Sequence, residues 1–519
     1  MSTFIEELGD FAANVASAEI PRTVIERARL QHMHLAAAIA ENVPDDIVSG
    51  LRKGAPRRGA ATVWGGGKTS PRTAARVHAS RAAFVDRLDH VLGGSTGVGA
   101  VSACWAFAKG AQVGDLLVAT AVANEVAGRV GAALLIGPHH GFGCGWVHAV
   151  SAAVSTGRLL KLDAGEMSHA IGLALASSGP IPRTVLAGSG RSAAVSAAVA
   201  GGIEAAQLAQ KGTRSSLQQL EAPGGLLDSA SWLPLKHAFT GLGRAWLTHT
   251  VSFPRWPGPV AWHAAYDALD LVLKRHVKAA DKRLRVDQVS EIHLRVPAPA
   301  VALDQWMSRT GIQESAGLPH AVRHGMGALV AAHQLGTEEM NPTDWIERSR
   351  VYGEVASRIR VRHELSLTLD FMGQVVDSIA PLVGGINQSE WRDLLARVSR
   401  PEVGWPTVQW RDLRSLWKHR PDKWFRTVRF APRDLADARL DEWQLRLGAE
   451  VEVYTTRGGK WPERRSVPEH SPGTPWLETI ASVHSRYAAS DDNRMEQARW
   501  VWDSQVDQDA AEWVNRLLE

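Results

Sequence analysis

The chain has 519 residues and a mass of 56.2 kDa, a length that at roughly 150 residues per domain suggests about three units, or fewer if the folds are large. With 45% hydrophobic and 22% charged residues it is globular rather than disordered in composition. The 58 Lys and Arg against 54 Asp and Glu leave a net charge of +4, interspersed rather than blocked, which gives nucleic-acid binding little support. Two cysteines, Cys104 and Cys144, exclude a disulfide framework and supply no CxxC pair for zinc or redox work, so a reduced cytoplasmic setting is expected.

In chain order, the N-terminus carries Glu6, Glu7 and Asp10 where an export signal needs basic and then apolar residues. From Ile5 to about Ala209 apolar residues recur at three- and four-residue spacing, as in Val24, Ala28, Leu30, His34 and Leu35, which predicts stacked helices. The apolar stretch from Gly114 is interrupted by Glu125 and Arg129, too polar for a membrane span. Runs of Ala, Ser and Gly from Ala149 and from Arg191 predict closely approaching helices, and Gly93-Gly94, Gly141 to Gly145 and Gly188-Ser189-Gly190 mark loops where backbone can approach a ligand. After Asp270 the pattern changes to short alternating segments, Gln288 to Val296, Ile359 to Asp370 and Ala449 to Trp461, which predict strands in an α+β region. A Trp-rich stretch, about 384–447, is expected to pack its indoles rather than present them to a partner. From about Leu477 helical periodicity resumes and is expected to return the chain to the first domain.

Three motifs fail on spacing. GGGKTS at Gly65 has Thr62 where a phosphate loop needs glycine, Gly188-x-Gly190 lacks the third glycine of a dinucleotide fingerprint, and Ser189 follows Gly188 but has Ala187 where a nucleophile elbow wants glycine. His148 near His139 and His140 suggests a metal, but no carboxylate stands at ligand spacing, so none is expected.

What remains is a collinear pattern. The segments Thr62 to Val91, Gly114 to Leu134, His140 to Asp163, Ala197 to Gly212, Leu220 to Leu227, Phe253 to Leu269, Val289 to Pro297, Ala449 to Trp461 and Ser466 to Trp476 together resemble the MmgE/PrpD family of dehydratases, decarboxylases and epimerases. The resemblance implies a mainly α protein: a large all-helical domain (1–275, completed by 477–519) and a smaller α+β lid (276–476) that carries the Trp-rich insertion. It also implies cofactor-free chemistry on a small-molecule substrate at the junction, usually in a homodimer, with no membrane or nucleic-acid partner.

Residue by residue, the family's retained acid falls on Asp86 in Asp86-Arg87-Leu88-Asp89-His90. An aspartate at a helix end beside His90 can orient an imidazole or itself take a proton next to a carboxylate, whereas the structural alternative is a solvated helical surface. The family's His-Pro-Gly is replaced by Ser95-Thr96-Gly97, and its loop histidine falls near His139 and His140. Arg191 stands in place of a lysine; a guanidinium can anchor a carboxylate but cannot act as an acid. A second lysine aligns with Pro254, for which Arg255 is the nearest substitute, and His263 and, near the lid tyrosine, His324 complete the set. Trp256 and Trp262 in place of fixed cations argue for a substrate less charged than a tricarboxylate. The reading is therefore a cofactor-independent lyase or isomerase in which Asp86, His90 and His139 or His140 move protons while Arg191, Arg255, Trp256, His263 and His324 bind substrate; the alternative is a homologue that kept the fold and lost the chemistry.

Overall fold

In the computed structural model, the described residues are 2–41, 46–54, 58–138, 145–182, 185, 187–312, 314–400, 403, 406, 421–488 and 492–518. Among the described residues helix occupies 61% and strand 8%, so the fold is mainly α with little sheet. His139, His140, Cys144, Trp405, Trp410 and Trp417 lie outside the described residues.

The first half is a bundle whose helices start where the sequence supplies caps. Thr3 and Glu6 form a capping box on Phe4–Asn14, Asp163 and Glu166 one on Ala164–Ser177, and Ser70 caps Pro71–Val85 with proline at the first helical position. The long helices Val113–Ala133, Gly145–Leu159 and Gly190–Gln210 pack closely because small residues let backbones approach. A Cβ on Gly202 would stand 2.0 Å from the Ala149 carbonyl oxygen, and one on Gly131 2.0 Å from that of Gly93. Val113–Ala133 and Gly190–Gln210 are long and apolar enough to pass a membrane-span test, yet the tested window of the first is wholly buried in the protein and that of the second half buried. The GGGKTS segment is a turn: β1 (Ala61–Thr62) pairs antiparallel with β2 (Lys68–Thr69), and Gly65, Gly66 and Gly67 between them all have positive φ.

A four-stranded sheet lies later in the chain. β3 (Val289–Val296) runs parallel to β4 (Ile359–His363) and antiparallel to β5 (Ala449–Thr455), which forms a hairpin with β6 (Lys460–Arg465). The alternation of β3 buries Val289, Ile292, Leu294 and Val296 against the helix His263–Ala280 and its neighbours, making a core separate from those of the bundle. One expected strand is cut short. β4 ends at His363, and Glu364 accepts a hydrogen bond from the Ser366 backbone N–H to start the helix Leu365–Ile379, so the LSLTLD half of the segment is helical.

The Trp-rich stretch packs onto the bundle where it is described: Trp443 is buried in one cluster with Phe239, Leu382 and Val428, and Trp391 and Trp424 lie partly buried against it. The closing helices Trp476–Ala488, Asp492–Asp503 and Ala510–Leu518 put Val483, Tyr487, Val501, Trp513 and Leu517 into one cluster with Leu30, Met33 and Leu116 of the first half.

Candidate functional site

The helix Pro71–Val85 ends at Asp86, which adopts a left-handed conformation (φ 57°, ψ 30°) and donates its N–H to the Ala82 carbonyl. A non-glycine residue pays for that conformation, and Asp is among those that tolerate it best. The turn redirects the carboxylate into the protein, where the residue is 4% exposed.

Arg191, fully buried in the first turn of Gly190–Gln210, answers both the carboxylate and the helix end. Its Nε donates to Ala83 O at 2.7 Å and an Nη to Phe84 O at 2.9 Å, satisfying terminal carbonyls of Pro71–Val85, and another Nη lies 4.0 Å from Asp86 Oδ2. His320, at the end of the turn Ser315–His320, completes the group: its Nε2 lies 2.8 Å from Asp86 Oδ2 and 2.9 Å from an Arg191 Nη. One ring nitrogen cannot serve both neighbours at once. Protonated, it faces the carboxylate; unprotonated, it accepts from the guanidinium. Asp86 Oδ2 makes no hydrogen bond of good geometry among the described residues, so one buried carboxylate oxygen retains proton-accepting capacity.

Two more imidazoles flank the carboxylate. His90 Nδ1 lies 3.1 Å from its neighbour's carbonyl, Asp89 O, and 2.7 Å from Ser95 Oγ; His263 Nε2 lies 3.0 Å from Gly258 O, while the Gly258 N–H donates to Asp86 O. A carbonyl can only accept, so His90 carries its hydrogen on Nδ1 and His263 on Nε2, leaving His90 Nε2 and His263 Nδ1 as lone-pair nitrogens. Burial pushes the Asp86 carboxyl up, but Arg191, His320 and His90 together outweigh it and hold it below the ordinary carboxylate value. Burial likewise lowers His320 and His90, against the pull of Asp86, and lowers His263 to about 4. The resting centre is thus an anionic Asp86 and a cationic Arg191 among neutral imidazoles.

Ser95-Thr96-Gly97 enters a buried network of its own. Asp89 Oδ2 accepts from Gln31 Nε2 at 2.7 Å and from the Gly97 N–H at 3.1 Å, Thr96 Oγ1 donates to Asn124 Oδ1 at 2.5 Å, Asn124 Nδ2 donates to Gln31 Oε1, and Ser95 O accepts from His148 Nδ1 at 3.0 Å. Burial, only partly offset by these bonds, raises the Asp89 carboxyl to about 6.

The structure therefore brings together Asp86, His90, Arg191 and His263 of the expected residues. It does not bring Arg255, Trp256 or His324 to them. Arg255 is paired with Asp270 at 2.8 Å and Glu469 at 3.2 Å. Trp256, 5% exposed, donates its indole N–H to Asp267 Oδ1 at 2.7 Å, and its ring carries the Arg255 guanidinium. Trp262 is fully buried and donates to the His320 carbonyl at 3.1 Å, while Tyr266 donates to Pro319 O, so these aromatic residues hold the His320 turn instead of lining a cleft. His324 sits one helical turn past His320 on Val322–Ala332, near Gly353. His320, absent from the sequence reading, is the residue that meets Asp86. No local pattern marks it, because its partner Asp86 lies 234 residues earlier in the chain.

A separate cavity of about 620 Å³, lined in part by Arg27, His249, Asp441, Trp443, His470 and Trp476, lies where the closing segment meets the Trp-rich stretch and contains none of these residues. Among the described residues no group of three or more His, Cys, Asp or Glu is placed to hold a metal ion.

Asp86, His320 and Arg191 thus form a buried acid-imidazole-guanidinium centre at a helix end in a mainly helical protein. Residues 6–233, which contain Asp86, His90 and Arg191, match the MmgE/PrpD N-terminal domain. This match supports membership in the MmgE/PrpD family, whose members are generally lyase-type enzymes. No curated protein matches the chain.

Proposed function

We propose that the protein is a lyase or isomerase that moves a proton next to a carboxylate or carbonyl group, with Asp86 and His320 as the proton-handling pair. The observation that carries this reading is the Asp86 carboxylate, buried, with Oδ2 2.8 Å from His320 Nε2 and without a hydrogen bond of good geometry among the described residues. Asp86 or His320 takes the proton from carbon, and the C–H electron pair passes into the adjacent carbonyl as an enolate-type anion. Return of a proton to the other face gives epimerisation, and loss of a β-hydroxide, protonated as it leaves, gives dehydration. Arg191 acts through Asp86 and His320, because its donors are directed at Ala83, Phe84 and His320; it is a positioning residue in this scheme. His90 and His263 supply lone-pair nitrogens on the flanks, and His139 and His140 remain proposed proton carriers from the sequence. The region 276–476 is proposed as the lid, the active form as a cytoplasmic homodimer, and the substrate as carrying fewer charges than a tricarboxylate.

The test is proton NMR in deuterium oxide with a panel of small di- and tricarboxylic acids and less charged unsaturated acids. Turnover, or deuterium entering at carbon next to a carbonyl, that disappears in Asp86→Asn supports the reading; exchange that persists in Asp86→Asn and His320→Phe refutes the assignment of roles. A second reading is a homologue that retains the fold without the chemistry. It is favoured by the burial of Asp86 and His320 at 4% exposure each and of Arg191 at 0%. Silence across the panel, with Asp86→Ala clearly less stable than wild type, would select it.

A further inference from the structure

The cavity of about 620 Å³ beside the Trp-rich stretch contains no residue of the Asp86 centre, and its size is that of a small-molecule site. Parts of the chain far apart in sequence share its walls: Arg27 from the helix Arg22–Ala40, Gln374 and Ser378 from Leu365–Ile379, Trp443 from the Trp-rich stretch, and the segment 470–479.

The buried part of that lining carries no formal charge. Gln374, Ser378, Trp443, Ser471 and Thr479 are all buried, and none is ionised at neutral pH. Gln374 Nε2 donates to Ser378 Oγ at 2.5 Å and reaches Glu442 O at 3.5 Å. The Ser378 O–H remains able to donate and Gln374 Oε1 to accept, while Ser471 Oγ has no hydrogen-bond partner. His249 and His470 line the same space. Burial lowers both rings below the ordinary imidazole value, His470 to about 4, so both are neutral. A charged group carried into this part would lose its water without meeting a counter-ion.

The charges stand where the lining is more open: Arg27 is half-buried, and Asp377, Arg439, Asp441 and Glu442 are exposed. Arg439 is paired with Glu442 at 2.9 Å. Arg27 lies over the Trp476 ring at 4.6 Å and donates to Thr23 O at 3.2 Å, and neither it nor Asp377 nor Asp441 forms an ion pair with a described residue. One guanidinium against two carboxylates gives an entering anion no net attraction. The lining therefore suits a ligand that donates and accepts at several points without net charge and covers indole surface with C–H groups. Hydroxyl groups meet the first need, and a sugar ring or polyol chain meets the second.

We propose that this cavity binds an uncharged polyhydroxy compound, a small sugar or polyol, with hydroxyls on Gln374 and Ser378 inside and on Arg27 and Asp441 at the mouth. The site does not depend on the proposed chemistry of Asp86.

The experiment is saturation-transfer NMR followed by calorimetry on the full-length protein, with glucose, maltose, myo-inositol and glycerol as probes and glutamate and lysine as charged comparators. At least one polyhydroxy probe is expected to bind with a Kd of about 1 mM or below, and more tightly than either amino acid. Gln374→Met, which keeps the length of the side chain and removes its amide, is expected to weaken that probe about fivefold or more, the contribution of one net hydrogen bond. Should that variant not fold, Asp441→Ala, at an exposed position, is read in its place with the same expectation. Preference for any one of the four probes supports the site and sizes its ligand. Failure of all four to reach that affinity, tighter binding of glutamate or lysine, or binding unchanged in the variant would overturn the proposal.

Discussion

Replacing Asp86 with asparagine keeps the shape of the side chain and removes its charge, so it tests the centre with little change in packing. Two effects follow. For the reaction, loss of a positioned acid or base is expected to lower turnover by roughly 10²–10⁴-fold. For stability, Arg191 is left as a fully buried cation whose nearest anionic oxygen stood 4.0 Å away. At that separation and an effective dielectric near 20 the attraction is about 4 kcal/mol, and relief of the cost of burying the carboxylate returns part of it, leaving a loss of about 2–3 kcal/mol. The Ala83 and Phe84 carbonyls still receive the guanidinium, which keeps the loss toward the low end for a broken buried pair. The sign with pH follows from the lowered Asp86 carboxyl. Its stabilisation is present above the unfolded value near 4 and fades as pH falls through the lower folded value. Thermal unfolding of wild type and Asp86→Asn should therefore differ by several degrees at pH 7, with the gap closing in acid below about pH 4. Equal midpoints at pH 7 together with wild-type turnover would refute both the ion-pair argument and the assignment of Asp86 to the chemistry.

Asp89 has the opposite pH sign. Its carboxyl is raised to about 6, so its contribution is greatest below the unfolded value near 4 and is lost as pH rises through 6; Asp89→Asn, which can keep both hydrogen bonds now received by Oδ2, should be as stable as wild type or more so at pH 7, by up to about 3 kcal/mol, and a lower melting midpoint would contradict this. Gly131→Ala would ordinarily help a helix by up to about 1 kcal/mol. Here the new Cβ would meet Gly93 O at 2.0 Å, a backbone atom that cannot swing away, so a net loss of about 1–3 kcal/mol is expected in urea or thermal unfolding. Trp262→Phe removes the indole donor from the His320 carbonyl and should cost about 1–3 kcal/mol of stability. If Trp262 positions His320, turnover should also change its pH profile; a lower melting point with an unchanged profile would make the indole purely structural.

Much of the fold was legible because the relevant signals are local. The three- and four-residue spacing around Val24 to Leu35 corresponds to the helix Arg22–Ala40, and the alternation from Gln288 gives β3 almost to the residue. The strand expected from Ile359 to Asp370 failed at a local feature of another kind: LSLTLD alternates like a strand, but Glu364 caps a helix there, and hydrophobic burial of Leu365, Leu367 and Leu369 serves that helix equally well. Trp256 and Trp262 were legible as large residues near the site but not in orientation. Whether an indole faces a ligand or pins a neighbouring turn depends on where its N–H finds an acceptor, and Asp267 lies 11 residues from Trp256 while His320 lies 58 from Trp262.

The site divides the same way. Asp86 and His90 are close in sequence, and the helix end and the Asp89-anchored turn place both, so the family resemblance of one short segment singled out residues that the fold keeps together. Arg191 was singled out because it stands where the resembling family has a lysine, but geometry gives it another task. A guanidinium that already serves the end of the Pro71–Val85 helix, 107 residues earlier in the chain, has few directions left for a substrate, and its remaining effect is to keep Asp86 ionised and His320 neutral. His320 lies 234 residues beyond Asp86, in a turn held by Trp262 and Tyr266, and only the packing of the sheet-bearing region against the bundle brings the ring to the carboxylate. The pairing of an acid from one core with an imidazole held by another makes the proposed proton-transfer centre sensitive to the fit between them: a displacement of about 1 Å would take His320 Nε2 beyond hydrogen-bonding reach of Asp86 Oδ2, while leaving Arg191 on its helix carbonyls.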